Sequence, residues 1–296
     1  MKQNRLYIFS LFLFTIFGFS QPYVDIATFN YQHFSAPYTN YSVLRSTTNA
    51  YNLNLFFPKE FKNGNALLFR LNNELIATQI NSNSTSSSSI SSITALLGYQ
   101  FTSKSKKWKT ILMAIPKLAS DFEDPIGTTD WQIGGLLLGN YKANDKLKIK
   151  AGLYYNREAF GDFFVPLLGI DWKATDRLNF YGTLPNNYKI EYAVVKNKFF
   201  MGLNFKSQIR SFQLSQKQNN DYVRFDETVL KLFADYFLYK KVLVFSEIGY
   251  SLGKSPLQYS TVTNELTTLN SIYSPSNKYP VFNIGVAYRI RTDIEK

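Results

Sequence analysis

The feature that narrows this chain most is a strict period of two near its carboxyl end. Phe282, Ile284, Val286, Tyr288 and Ile290 alternate there with Asn283, Gly285, Ala287, Arg289 and Arg291. Successive residues of a β-strand project to opposite sides, so the pattern describes a strand with one apolar and one polar face. Two arginines make the second face strongly hydrophilic. Fourteen segments of this kind are predicted, near 24–34, 50–58, 64–73, 92–102, 107–117, 130–142, 146–157, 163–173, 177–184, 188–195, 198–212, 225–238, 241–253 and 279–291. A wall that meets lipid outside and a polar lumen inside needs this alternation in every strand.

The connections alternate as well. Tyr141-Lys142-Ala143-Asn144-Asp145, Trp172-Lys173-Ala174-Thr175-Asp176 and Val195-Lys196-Asn197-Lys198 are tight, with Asn or Asp suited to hairpin turns. The intervening ones are expected to be longer loops: 35–49, the serine-rich 81–92, the acidic 119–129 and 254–278. Short turns on one side and long loops on the other, with both termini periplasmic, imply an even strand number. The expected fold is therefore an all-β, antiparallel transmembrane β-barrel of about fourteen strands, or twelve if 24–34 or 64–73 does not span. A secreted β-sandwich with an aromatic core is the competing architecture.

Residues 1–20 read as an export signal, with Lys2 and Arg5 ahead of the apolar run Leu6 to Phe19 and a cleavage site near Ser20-Gln21. That run is too short for a helix crossing about 30 Å of hydrocarbon. Residues 21–296 are then the barrel, placed in the bacterial outer membrane. The chain has no cysteine, which removes disulfides, thiolate metal sites and a lipidated amino terminus. Its 21 tyrosines and 26 phenylalanines suit the aromatic girdles that such barrels place at both lipid–water interfaces.

A net charge of +12 raises the question of nucleic acid. The cations instead gather at short turns, as at Lys104, Lys106 and Lys107, at Lys142 and Lys146, and at Lys240 and Lys241. No nucleic-acid partner is expected. Outer-membrane lipids, small solutes and the barrel insertion machinery are the expected partners, and no cofactor is.

Alternation also sorts the candidate site. Lys148 and Lys150 oppose Ile149 and Ala151; Lys189 and Glu191 oppose Ile190 and Tyr192; Lys206 and Arg210 lie opposite Leu203 and Phe205. With Lys231, Asp235, Glu247 and Arg289 they are expected to line the lumen. Mixed charges there either pair and stiffen the wall or set an anion-attracting field. Inward Phe200, Phe233 and Phe237 are expected to constrict the bore.

The stretch Phe163-Phe164-Val165-Pro166-Leu167-Leu168-Gly169-Ile170-Asp171-Trp172, with Asp176-Arg177-Leu178 and Leu184-Pro185-Asn186 after it, resembles a family of uncharacterised outer-membrane barrels. That family is common in Bacteroidota and carries a domain of unknown function. The resemblance implies a barrel of unassigned activity, loosely similar to barrels proposed to admit small aromatic or hydrophobic compounds. It brings no catalytic residues with it. The chain departs from common barrel signals in that Thr292 to Lys296 follow the last strand, so it does not end in an aromatic residue.

Three features outside the barrel rhythm bear on chemistry. His33 and Ser35 share a strand face and form a formal base–nucleophile pair for a lipid hydrolase, against the plainer reading of an interfacial histidine. The acidic Asp121-Phe122-Glu123-Asp124-Pro125 offers carboxylates to a hard cation but matches no EF-hand spacing, and a solvated loop is expected. The run Ser84 to Ser92 reads as a flexible surface loop. The functional expectation is a non-enzymatic, passive or weakly selective channel for small solutes, with a closed barrel serving as a structural or surface-binding protein as the alternative.

Overall fold

A computed structural model describes residues 22–38, 41–81, 86–252, 254–263, 265 and 278–292. The proposed export signal, residues 1–20, lies outside them. The chain runs through β1 (Tyr23–Tyr38), β2 (Tyr41–Glu60), β3 (Ala66–Asn81), β4 (Ser86–Thr102), β5 (Trp108–Ser120), β6 (Trp131–Lys142) and β7 (Leu147–Glu158). It continues through β8 (Gly161–Lys173), β9 (Leu178–Thr183), β10 (Asn187–Val195), β11 (Phe199–Gln213), β12 (Tyr222–Tyr239), β13 (Val242–Ser251), β14 (Lys254–Tyr259) and β15 (Pro280–Arg291).

These strands form one closed antiparallel barrel. Strands β1 to β13 each pair with their sequence neighbours, β13 pairs with β15, and β15 pairs with β1 from Tyr23↔Arg291 to Phe34↔Val281 to seal the wall. The short β14 extends the track of β13 along β12, so the barrel has fourteen wall strands, and the twelve-strand alternative falls away. Closure leaves no free ladder edge at the chain ends, the condition a β-structure must meet to sit in hydrocarbon.

Period two decides which face is which. On β15 Phe282, Ile284, Val286 and Tyr288 are exposed, whereas Asn283, Ala287, Arg289 and Arg291 are buried in the interior. The same parity exposes Leu53, Leu97, Leu112, Leu137, Leu153, Leu232 and Ile248, an apolar belt around the molecule. Such a belt would be an aggregation surface in water and is a solvated one in lipid. Aromatics meet in cross-strand pairs on it: Trp108 with Tyr141 at 4.7 Å and Trp172 with Phe180 at 5.2 Å near the short turns, and Tyr155 with Phe164 at 4.9 Å near the other rim.

The wall is uneven in height, which corrects three loop assignments. Much of 35–49 is strand, because β1 runs on to Tyr38 and β2 begins at Tyr41. From Ser86 the serine-rich run is strand as well: Ser86 to Ser92 belong to β4 and pair with β3 from Ile80 to Glu74. Serine has little strand preference of its own, and the register with Ile76↔Ile90 supplies what propensity lacks. Part of 254–278 is also strand, as β14. At the opposite extreme β9 has only six residues.

Candidate functional site: the barrel interior

Inward parity brings side chains from distant strands into one buried column. Burying a charge is unfavourable unless it is paired and hydrogen-bonded, and the interior obeys that rule level by level. Nearest the short turns, Arg291 donates to both oxygens of the fully buried Glu191, at 2.7 and 3.1 Å. Asn179 and the Tyr181 hydroxyl also donate to Glu191, each at 3.3 Å. Arg289 forks onto Asp25 at 2.6 and 3.0 Å, reaches Asp235 through Nη1, and stacks 3.5 Å from the centre of the Tyr23 ring. Lys150 meets Asp171 at 2.5 Å.

Halfway up, Lys231 meets Glu247 at 2.7 Å, and Glu247 also accepts from Asn204 at 2.8 Å and Asn283 at 2.9 Å. Lys189 lies 3.3 Å from the Tyr23 hydroxyl and 4.7 Å from the centre of the Phe233 ring. Higher again, Glu227 accepts from Gln32, Gln208 and Arg210 at 2.9, 3.1 and 2.8 Å, while Arg210 Nε reaches Glu74 at 3.1 Å. Lys206 is partly buried on the same face of β11, two and four residues below Gln208 and Arg210. Lys148 is partly buried at the short-turn end of β7.

The interior is thus built from linked ion pairs from bottom to top. Phe200, Phe233 and Phe237 are buried among them, and Phe200 and Phe237 pack with Ala193, Leu243 and Ala287 at the short-turn end.

A second obstruction was not legible from alternation alone. The upper halves of β11 and β12 lean across the lumen, so that Phe212, Leu214 and Phe225 pack on Ala50, Ile76, Ile90 and Ala119 of the opposite wall. Gln213 pairs with Ser120 of β5, and the Asp121 N–H donates to the Gln213 carbonyl at 3.0 Å. Ser211 is clamped from the facing strands. Its carbonyl accepts from Lys117 at 3.3 Å and Gln132 at 3.1 Å, and its N–H and hydroxyl donate to Glu158 at 2.8 and 2.7 Å. Lys117 and Glu158 complete the clamp as an ion pair at 3.4 Å. The only trace of this in the sequence is that Lys117, Gln132 and Glu158 carry the inward parity of their strands.

The other candidates resolve into local roles. His33 Nδ1 meets Asn49 Oδ1 at 2.9 Å, and the Tyr31 hydroxyl donates to the same oxygen at 2.6 Å. His33 and Ser35 stand on the outward face of β1, where their direct neighbours on β2 are Asn49 and Thr47 and His33 also faces Phe282 of β15. In the acidic loop, Asp121 and Asp124 accept the backbone N–H groups of Ser215 and Gln216 at 2.8 and 2.6 Å. Those carboxylates fasten the β5–β6 loop to the β11–β12 turn.

A family model described as a domain of unknown function (DUF6268) matches residues 69–289. No curated protein matches the chain. Among solved structures, the chain is similar to the COG4313 outer membrane channel from Pseudomonas putida F1, at 13% identity and a TM-score of 0.47, covering 89% of this chain and 94% of that one. It is also similar to the NanC porin (8% identity, TM-score 0.37, 88% and 100% covered). A third is the KdgM porin in complex with disordered oligogalacturonate (10%, 0.36, 88% and 98%).

Proposed function

The chain belongs to the DUF6268 family, and within it we propose that this protein is an outer-membrane barrel acting as a passive, weakly selective conduit for small solutes. Residues 1–20 serve as its export signal in this reading. The observation that carries it is the pairing of an apolar exterior belt with an interior column of charged and amide side chains. Water and ions follow a polar column; nothing in an apolar-cored sandwich would need one.

Lys148, Lys150, Lys189, Glu191, Lys206, Arg210, Lys231, Asp235, Glu247 and Arg289 are the proposed lining of the path. Cations and carboxylates interleave along it, so the expected ion selectivity is weak, with a slight anion preference from Lys148, Lys189 and Lys206. The test is single-channel recording of the refolded mature chain in a planar bilayer under a salt gradient. Small discrete steps with a reversal potential near zero support the conduit. A folded barrel that never conducts above the lipid background contradicts it.

The packing of Phe212 and Phe225 across the lumen favours a second reading, a permanently closed barrel that works through its extracellular rim. In that case loss of the rim loops abolishes surface binding while the barrel itself remains intact.

A further inference from the structure

The barrel wall is complete below and interrupted above at one place. Strand β9 has six residues. At about 3.3 Å per residue it is about 20 Å long, and at a tilt of about 45° it rises about 14 Å, well short of an apolar band about 25 Å tall. The β9–β10 hairpin therefore turns over, at Leu184-Pro185-Asn186, while still at hydrocarbon depth. Gly182 makes the early turn possible: its φ is +133°, and a Cβ there would lie 2.1 Å from the Asn187 carbonyl oxygen.

The flanking strands do not stop there. On one side β8 pairs with β9 at Asp171 to Lys173 and once more through reciprocal Leu168–Leu184 bonds of 3.1 and 2.7 Å. Above Leu168 it pairs only with β7 among the described strands. On the other side the β10–β11 ladder ends at Asn187↔Lys206, with the Ser207 N–H on the Asn186 carbonyl at 2.9 Å. From Ser207 to Phe212 the β11 ladder runs only with β12, and Ser211 crosses to the end of β7 through its N–H on Glu158 at 2.8 Å and the Ala159 N–H on its hydroxyl at 2.9 Å. The frame closes at the top, where the Phe160 ring lies 6.5 Å from that of Tyr222 and 4.3 Å beneath the Arg224 guanidinium. The result is a framed window in the side of the barrel.

Open strand edges facing lipid leave backbone groups without partners, and at membrane depth such backbone persists only where it is buried in protein or lines a water-filled cavity. The chain carries the sequence signature of such an edge. Because Leu168 directs its N–H and C=O toward β9, Pro166 sits at the same parity and presents a residue without an N–H to the opening. The lipid side of the rim is apolar, with Phe164, Leu168 and Leu184 at 61%, 66% and 47% exposure. Phe163 and Val165 stand inward just behind it, and Asn156, the cross-strand partner of Phe163, keeps a buried Oδ1 with no protein partner. The axial mouth above is obstructed by the clamped β11–β12 hairpin, whereas on this side no ladder joins β8 to β11 among the described strands.

We infer that this window is a lateral portal through which a small amphiphile, an apolar body with a polar end, passes between the barrel interior and the surrounding lipid. An apolar body leaves the lumen here without crossing water, and its polar end meets the interior amides. The inference rests on the membrane placement proposed above and is independent of axial conduction.

The test uses the absence of native cysteine. Val165→Cys, inward behind the window, and Asn30→Cys, inward behind the sealed β15–β1–β2 wall, are labelled with bimane in nanodiscs. The quencher is a nitroxide-labelled stearic acid. Heat-modifiable migration verifies each fold, and Phe163→Cys replaces V165C if that variant fails it. At least two-fold stronger quenching at Val165 than at Asn30 is the expected result. Equal quenching at both, or none at Val165, overturns the portal. Conductance recorded on the same preparations separates the two readings. A conducting protein without quenching at Val165 loses the portal alone, and a silent protein that is quenched there loses only the axial conduit.

Discussion

At the scale of single residues, the interior is governed by the rule that a buried charge survives only in company. Glu191 shows it most fully, with two bonds from Arg291 and one each from Asn179 and Tyr181. Glu191→Ala leaves the Arg291 guanidinium buried without its carboxylate, an expected loss of about 3–5 kcal/mol. Denaturant titration of the folded band on unheated gels reads that loss. The pair Lys231 and Glu247 makes the complementary case: replacing both by methionine is expected to cost less than either single replacement, because no lone charge is left behind. Strictly additive single and double mutants would contradict this pairing. Parity made these residues legible in the sequence. Their partners across the lumen were not, since Arg291 and Glu191 are a hundred positions apart and only barrel closure brings them together.

At the scale of elements, turn chemistry and period two were enough to place the strands, and they failed where tertiary register overrides local preference. The serine run of β4 read as a loop because serine favours turns, yet β3 holds it in a ladder. The inward lean of β11 and β12 was hidden for a related reason. Phe212 and Phe225 alternate like any strand residues, and nothing local distinguishes packing on an adjacent strand from packing across a lumen. Phe212→Ala is expected to cost about 3–5 kcal/mol and to raise channel conductance by loosening the hairpin. A destabilised barrel with unchanged conductance would place the constriction lower, at Phe200 and Phe237. Gly182→Ala tests the short hairpin. Its positive φ and the 2.1 Å approach to Asn187 O predict a loss of about 1–3 kcal/mol or more in the same gel assay, whereas a neutral outcome would mean the turn relaxes freely.

At the scale of the whole molecule, one pattern accounts for architecture and placement together. A barrel with an apolar belt outside and a charged column inside is stable only if lipid covers the first and protein pairs the second. The uneven rim, tall at β2 with twenty residues and low at β9 with six, gives this barrel a side as well as an axis. The most direct test of that inside–outside division is a cysteine scan of β15 in proteoliposomes, read with lipid-borne and water-soluble quenchers. Labels at Phe282, Ile284 and Val286 are predicted to be quenched from the lipid, and labels at Asn283, Gly285 and Ala287 to be spared by it. A smooth profile with no period of two, or quenching of both sets from water alone, would contradict the account.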